Sequence, residues 1–188
     1  ELLHSEERWC LWLQDAEPSD LRSSRVLKQR IEKVREYRMS RDRKATKELA
    51  KTPYLFGFIS QPKASYIAVP LVSTETRDYV PMAILGADVV ANNLISTIQD
   101  GSERTFGFLM SRVFNVWNKT VSGRLESRTR ISGTITYNNF PFPETTADQD
   151  TQIEHAAKMV LEGRKKYPNS SLADLYDSAT MPVELRRA

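Results

Sequence analysis

The sequence predicts an α+β protein: a central mixed or antiparallel β-sheet flanked by helices, a long basic helix near the N-terminus and a helical C-terminal segment. Three observations carry this. Apolar residues recur at three-to-four-residue spacing over 21–44, 105–121 and 145–166, the period of helices with one buried face. Between the first two lie short β-branched and aromatic runs bounded by Pro, Gly, Asp or Ser, the pattern of strands and turns. The chain has 188 residues, 40% of them hydrophobic, enough to bury a core without disulfides or metal staples.

Residues 1–52 read as a helical lead-in. Pro18-Ser19-Asp20 is a stop followed by a cap, with Ser19 or Asp20 as N-cap. Leu21, Val26, Leu27, Ile31, Val34 and Tyr37 then form a narrow apolar stripe on one long basic helix to about Lys44. A second helical piece, Lys44–Lys51, ends before Pro53. Residues 53–143 form the β-rich core. Strands are predicted at Tyr54–Ser60, Ser65–Val72 and Tyr79–Leu85, while Asp88–Ile98 reads as strand or turn. Within this region Phe106, Leu109, Met110, Val113, Phe114, Trp117 and Val121 share the face of one helix, which should stop at Gly123. A loop over 123–130 leads to an alternating strand, Ile131–Tyr137, and then to a rigid aromatic turn at Asn138–Pro143. Residues 144–188 are a helical segment. Its main helix, 145–166, should bury Ile153, Ala156, Ala157, Val160 and Leu161, and shorter helices follow at Leu172–Tyr176 and after Met181-Pro182. Trp9, Trp12, Phe114 and Trp117 have helical spacing and read as core.

Composition excludes several classes. One cysteine, Cys10, rules out a disulfide framework and a cysteine-built zinc site, and fits a reducing compartment. His4 and His155 lie far apart without acidic neighbours at ligand spacing, so no metal centre is expected. No apolar run approaches the ~20 residues that span a bilayer, and the start lacks the regions of a signal peptide, so no membrane partner is expected. The first residue is Glu1, not Met, which suggests a piece of a longer protein. The formal net charge is only +3. Yet residues 21–140 carry 20 Lys and Arg against 10 Asp and Glu, and the flanks carry 7 against 14. A basic middle between acidic ends favours an anionic partner such as nucleic acid.

Catalytic patterns are absent. There is no glycine-rich phosphate loop, no nucleophile elbow and no Ser–His–Asp set. Asn138-Asn139-Phe140-Pro141 has the wrong order for the N-P-P-Y motif of adenine methyltransferases. No catalytic residue and no resident cofactor is therefore expected in this chain.

Three segments carry binding signals. The helix over 21–51 holds twelve Lys and Arg, among them Arg30, Lys33, Arg41, Arg43 and Lys44. They are either a solvated face or a set of phosphate contacts. The loop Gly123-Arg124-Leu125-Glu126-Ser127-Arg128-Thr129-Arg130 is the second signal. An Arg fork fits guanine O6 and N7, and a Glu accepts from cytosine N4, so Glu126 and Arg128 could read both members of one C·G pair. The alternative is a local Glu126–Arg128 surface ion pair. The third is Ser73–Tyr79, a polar turn whose plainer reading is a hairpin connection with a local salt bridge.

The segment Arg8-Trp9-Cys10-Leu11-Trp12-Leu13 resembles the entry to the target recognition domain of the MmeI-like DNA methyltransferases. Further blocks fit in order. They are Val69-Pro70, Ser73-Thr74-Glu75-Thr76-Arg77, Tyr79-Val80-Pro81, Phe106–Leu109, Gly123–Ser127, Tyr137–Pro143, Ser170–Asp177 and Met181–Arg186. The resemblance covers nearly the whole chain. It implies a bacterial, cytoplasmic parent that methylates adenine N6 in duplex DNA with S-adenosylmethionine, with or without a fused restriction nuclease. The catalytic motif and cofactor site would lie in a methyltransferase domain upstream in the same chain. It also implies base reading by Glu126 and Arg128, with Arg130 close by, and Lys and Asp in their place in other members. Arg30, Lys33, Arg41, Arg43, Lys44 and Arg124 are the expected phosphate contacts. The alternative is a non-catalytic interaction module whose basic helix packs on an acidic domain.

Overall fold

The basic stretch after Pro18 folds as two helices. α1 spans Pro18–Ser23 and α2 spans Arg25–Met39 in the computed structural model, which describes all 188 residues. Ser24 between them is extended, with φ −108° and ψ 124°, and its hydroxyl accepts the Leu27 amide as the N-cap of α2. A serine makes that bond only from outside the helix, so the expected continuous helix is interrupted here. The cap of α1 is Glu17 and not Ser19 or Asp20. Pro18 suits the first helical position, where no amide is needed, and Asp20 turns back to accept the Glu17 amide.

α3, Lys44–Glu48, tightens into a 3-10 turn over Leu49–Lys51 and stops before Pro53. No residue of α1, α2 or α3 is fully buried. What gathers these pieces is Arg38. Its guanidinium donates to the carbonyls of Leu49 (2.7 Å), Thr52 (3.1 Å) and Leu55 (2.8 Å) where the chain leaves its last helical turn, and the first two also accept the backbone amides of Thr52 and Leu55. That is one reason Tyr54–Ser60, expected as a strand, is a run of turns and bends: the Leu55 carbonyl bonds a side chain instead of a neighbouring strand. Trp12 stacks on Phe56, with ring centroids 5.5 Å apart. Trp9, expected in the core, lies on an irregular segment and is 90% exposed. Arg8–Ser60 forms one compact unit; Glu1–Glu7 with Gln61–Ala188 forms the other.

The second unit contains all the strands. β1, Tyr66–Pro70, is buried along its whole length. β2 is Val72–Ser73, β3 Ala83–Leu85 and β4 Ile95–Ile98. They are shorter than the sequence suggests, and Asp88–Ile98 resolves into a turn followed by β4. α4 is Glu103–Met110 and α5 is Arg112–Val121. β5, Gly123–Leu125, and β6, Arg128–Arg130, follow. α6 is Ala147–Lys165, α7 Leu172–Leu175 and α8 Val183–Arg187. The α+β class holds, and all pairing is antiparallel. The strands divide into two sheets, β3-β1-β4 and β2-β6-β5. Leu71 joins them: its amide donates to the Leu94 carbonyl (2.9 Å) and its carbonyl accepts from Ile131 (2.9 Å).

Ile67, Val69, Val80, Met82, Phe106, Leu109, Phe114, Ile131, Phe140 and Ala157 make the heart of the core. Gly107 permits a close crossing of α4 and α6, because a Cβ there would stand 2.7 Å from Ile153 Cγ2 and 3.0 Å from its carbonyl oxygen. On α6, Ala157 is buried, but Ala156, expected beside it, is exposed. Arg164 reaches into this core. It donates to the Met82 carbonyl (2.8 Å) and the Tyr176 hydroxyl (2.7 Å), and lies over the rings of Phe106 and Tyr176. The aromatic turn packs edge-to-face, with Phe140 5.1 Å from Phe114 and 4.8 Å from Phe142.

The helix expected to run from 105 to Gly123 breaks at Ser111, which is extended and caps α5 by accepting the Phe114 amide. α5 keeps Phe114 and Trp117 on the core as expected, but not Val113. Val113 and Val116 are 70% and 55% exposed, while Asn115 and Asn118 are buried. Asn115 accepts the Val80 amide (2.8 Å) and donates to the Leu109 and Ser111 carbonyls. The Ser122 hydroxyl donates to Asn118 Oδ1 (2.6 Å) and pairs with the Thr136 hydroxyl (2.6 Å). Thr136 Oγ1 also accepts the Ser132 amide (3.3 Å), and its carbonyl accepts from Trp117 Nε1 (2.9 Å). The alternating stretch Ile131–Tyr137 is therefore no strand. Gly133–Tyr137 is a short π-helix capped by the Ser132 hydroxyl, because turning inward lets Thr136 complete these bonds.

Thr136→Val keeps shape and branching but strands the Ser132 amide and removes one partner of Ser122. Urea denaturation should show a loss of about 1–3 kcal/mol for this buried site.

Candidate nucleic-acid interface

The segment 123–130, read as a loop, is a β-hairpin. β5 and β6 pair Gly123 with Arg130, Arg124 with Thr129 and Leu125 with Arg128, and Glu126-Ser127 form the two-residue turn. β6 also pairs with β2, Val72 opposite Arg130 and Ser73 opposite Thr129. Strand alternation sorts the side chains. Thr129 and Ser73 are buried on one face. Arg128 and Arg130 point to the other, and Arg130 is exposed.

Arg124 lies across from Thr129 and braces the hairpin. It donates to Thr129 Oγ1 (2.6 Å) and to the Lys119 carbonyl (2.7 Å). At the tip, the Arg128 guanidinium donates to Glu126 Oε2 at 2.6 Å. Both side chains are substantially exposed, 42% and 77%, so this pair is worth under about 1 kcal/mol and opens readily.

Glu126 has φ 58°, in the left-handed region. A two-residue hairpin turn asks for positive φ at its first position, which suits glycine, and a side chain there costs about 1–2 kcal/mol. A glutamate in that place is local strain at the most exposed point of the sheet.

The turn after β2 runs beside this tip. It is not the hairpin connection expected from sequence, because β2 and β3 belong to different sheets. Nor is it closed by a local salt bridge. Arg77 donates to Thr74 Oγ1 (3.2 Å), and its buried Nε has no partner. Asp78 instead meets Lys119 at 3.4 Å. Glu75 is exposed, and its own backbone amide, the Ser127 side chain and the nearby Arg128 and Arg124 hold its carboxyl below the ordinary glutamate range.

The other sequence candidates lie in the unit Arg8–Ser60. Arg30 and Lys33 are exposed on α2, and Arg41 covers the Tyr37 ring at 4.1 Å. Arg43 caps α3 through its backbone and Lys44 opens that helix, both exposed. The structural task of Arg38 was not separable by sequence from its basic neighbours. The polar stripe Ser111, Asn115, Asn118 and Ser122 has helical spacing in the sequence, but a hydrophobic pattern registers only its apolar neighbours.

Asn139 donates its side-chain amide to the carbonyls of Thr134 (2.8 Å) and Ile135 (3.0 Å), so the segment nearest to a methyltransferase motif serves local structure. No group of three or more His, Cys, Asp or Glu is placed to hold a metal ion, and no helix is long and apolar enough to cross a membrane.

Glu126→Gly should relieve the positive-φ strain. Thermal melting should show equal or higher stability, by up to about 1 kcal/mol after the chain entropy of glycine.

Models of the MmeI target recognition domain and the MmeI C-terminal domain match residues 1–144 and 145–188. DNA methyltransferase A of Bacillus subtilis (strain 168) is 37% identical over 188 residues, all of this chain and 21% of that protein. The solved structure of the Type IIL restriction-modification enzyme MmeI in complex with DNA matches 99% of the chain and 25% of its own, with TM-score 0.95 and 40% identity. The chain thus spans about a fifth to a quarter of the relatives it matches. This hairpin-bearing chain belongs to the MmeI family, in which residues 1–144 are the target recognition domain and 145–188 fall in the C-terminal domain.

Proposed function

We propose that this chain is the duplex-DNA reading part of a bacterial, cytoplasmic adenine-N6 methyltransferase, with or without a fused restriction nuclease, and that Glu126, Arg128 and Arg130 read base edges. The observation that carries the reading is Glu126 itself. A glutamate occupies the positive-φ position of a solvent-facing turn, side by side with an arginine that can leave it. Backbone strain persists where function requires the side chain. Once the pair opens, the Arg fork matches guanine and the carboxylate matches cytosine N4.

Arg30, Lys33, Arg41, Arg43 and Lys44 would contact phosphates, which position the domain without reading sequence. Arg124 would do so with whatever donors its two internal bonds leave free. The relative described with DNA supports a DNA-binding role, as does the basic middle of the chain. The methyl group would come from S-adenosylmethionine, held by an upstream domain of the longer protein. The target base would be flipped into that domain.

The test is methylome sequencing of cells that express the full-length protein and its variants. Arg128→Ala should relax one position of the methylated motif, a loss of about 1–3 kcal/mol in discrimination. Glu126→Lys with Arg128→Asp should exchange the base at that position. Lys33→Ala should weaken all sequences alike and reduce the salt slope of DNA affinity by about one. An unchanged motif in an active Glu126/Arg128 double variant would sink the base-reading assignment. Salt-independent binding would favour a basic helix packed on an acidic domain.

A further inference from the structure

We propose that Arg77, in the turn after β2, is a further DNA contact: it binds a backbone phosphate on the flank of the hairpin and anchors the hairpin without reading sequence. The inference rests on the DNA-binding role stated above.

The bonds of the arginines single this one out. Five arginines are half-buried: Arg38, Arg77, Arg104, Arg128 and Arg164. Arg38 holds three carbonyls. Arg104 holds Asp150 and Thr145, Arg128 holds Glu126, and Arg164 holds a carbonyl and a hydroxyl between two rings. Arg77 has one neutral partner, the Thr74 hydroxyl at 3.2 Å. Its Nε is buried without an acceptor. A guanidinium has five N–H donors and stays charged, and a charge withdrawn from water is costly until it is paired. The turn has two carboxylates of its own, but neither serves. Asp78 meets Lys119 at 3.4 Å, and the cations beside Glu75 are Arg128 and Arg124. The anion that completes Arg77 therefore comes from outside this chain.

Position makes that anion a phosphate. β2 ends at Ser73, opposite Thr129 of the hairpin, and Arg77 follows four residues later. The turn is closed by the Arg77 amide on the Thr74 carbonyl (3.3 Å). Asp78 ties it to Lys119, whose carbonyl also accepts from Arg124, the brace of the hairpin. Backbone and hairpin are thus fixed together while the fork is held loosely. A hairpin that reads base edges in a groove has a sugar-phosphate strand on each flank. An Arg fork takes two phosphate oxygens at once. Turning to do so gives up one bond to a neutral hydroxyl and brings Nε out of unpaired burial.

The experiment uses the full-length protein and a duplex carrying the motif that methylome sequencing finds. Binding is measured across salt concentrations for wild type, Arg77→Met, Arg77→Lys and Arg128→Ala, with thermal melting in the absence of DNA. A second series replaces single phosphates of the duplex by uncharged methylphosphonates. Arg77→Met keeps the stem and removes an unpaired cation, so it should melt at or above wild type. It should bind the motif and altered duplexes alike about fivefold more weakly near physiological salt, with the salt slope reduced by about one. Its methylated motif should be unchanged. Arg77→Lys keeps the charge and should keep the slope. One methylphosphonate should weaken wild type yet weaken Arg77→Met no further, because one contact is removed twice. An unchanged slope in Arg77→Met, a loss confined to one motif position, or methylphosphonate effects that add to the variant at every phosphate would overturn the inference. So would a lower melting temperature with wild-type DNA binding, the result expected if a carboxylate elsewhere in the longer protein is the partner. Arg128→Ala without relaxation would remove the base-reading role and leave this one standing. Salt-independent binding by wild type would remove both.

Discussion

The hairpin that carries the candidate reading residues depends on a buried set of polar bonds at its root. Asn118, Ser122 and Thr136 are nearly inaccessible, and two contacts of 2.6 Å join them. Ser122 ends α5 one residue before β5 begins, and Ser132, tied to Thr136, follows β6 by two. Both legs of the hairpin therefore leave from one fixed point. Buried polar groups satisfied in this way permit little alternative packing, because any rearrangement strands a donor or acceptor. For the proposed reading of base edges, that rigidity is what the fold would contribute.

The arginines divide by what their forks already hold. Arg38 is engaged by three backbone carbonyls, and Arg164 by a carbonyl, a hydroxyl and two aromatic faces. Arg124 braces the hairpin from the side of Thr129. None of these has a carboxylate partner at ion-pair distance. Part of the positive charge in the middle of the sequence is thus structural: arginines serving as multidentate donors to carbonyls and hydroxyls at helix ends and turns. Arg128 differs. Its partner is an exposed carboxylate two residues away, the arrangement that opens at least cost. A net charge counted by segment merges these roles, and only geometry separates them.

The class of the fold was legible because helix periodicity and β-branched runs are strong signals over whole segments. The errors fall where a single side chain outweighs the period. Ser24 and Ser111 each end one helix and cap the next, so two expected helices became four. Ile131–Tyr137 alternates like a strand, yet Ser132 and Thr136 bond inward and coil it. On α5 the apolar count pointed to Val113, but two asparagines with buried backbone partners took the inner face. Side-chain-to-backbone competition of this kind is local chemistry that an average over hydrophobicity does not register. The candidate site was legible as composition, four charges in eight residues, but not as geometry. Neither the hairpin, nor the positive φ of Glu126, nor the neighbouring turn with Glu75 follows from residue order alone.

Glu126 shows how rigidity and strain fit together. A turn of two residues keeps the tip short, and the right-handed twist of its strands demands positive φ at the first of them. Glycine would meet that demand freely but brings no functional group. A longer loop would relax a glutamate but let the tip wander. Keeping both the short turn and the carboxylate requires the root to be held more firmly than the tip is strained. The buried bonds of Ser122 and Thr136, the brace of Arg124 and the pairing of β6 with β2 all act on the hairpin below the tip. The strain is therefore confined to one residue, where it fixes the direction in which the carboxylate leaves the sheet.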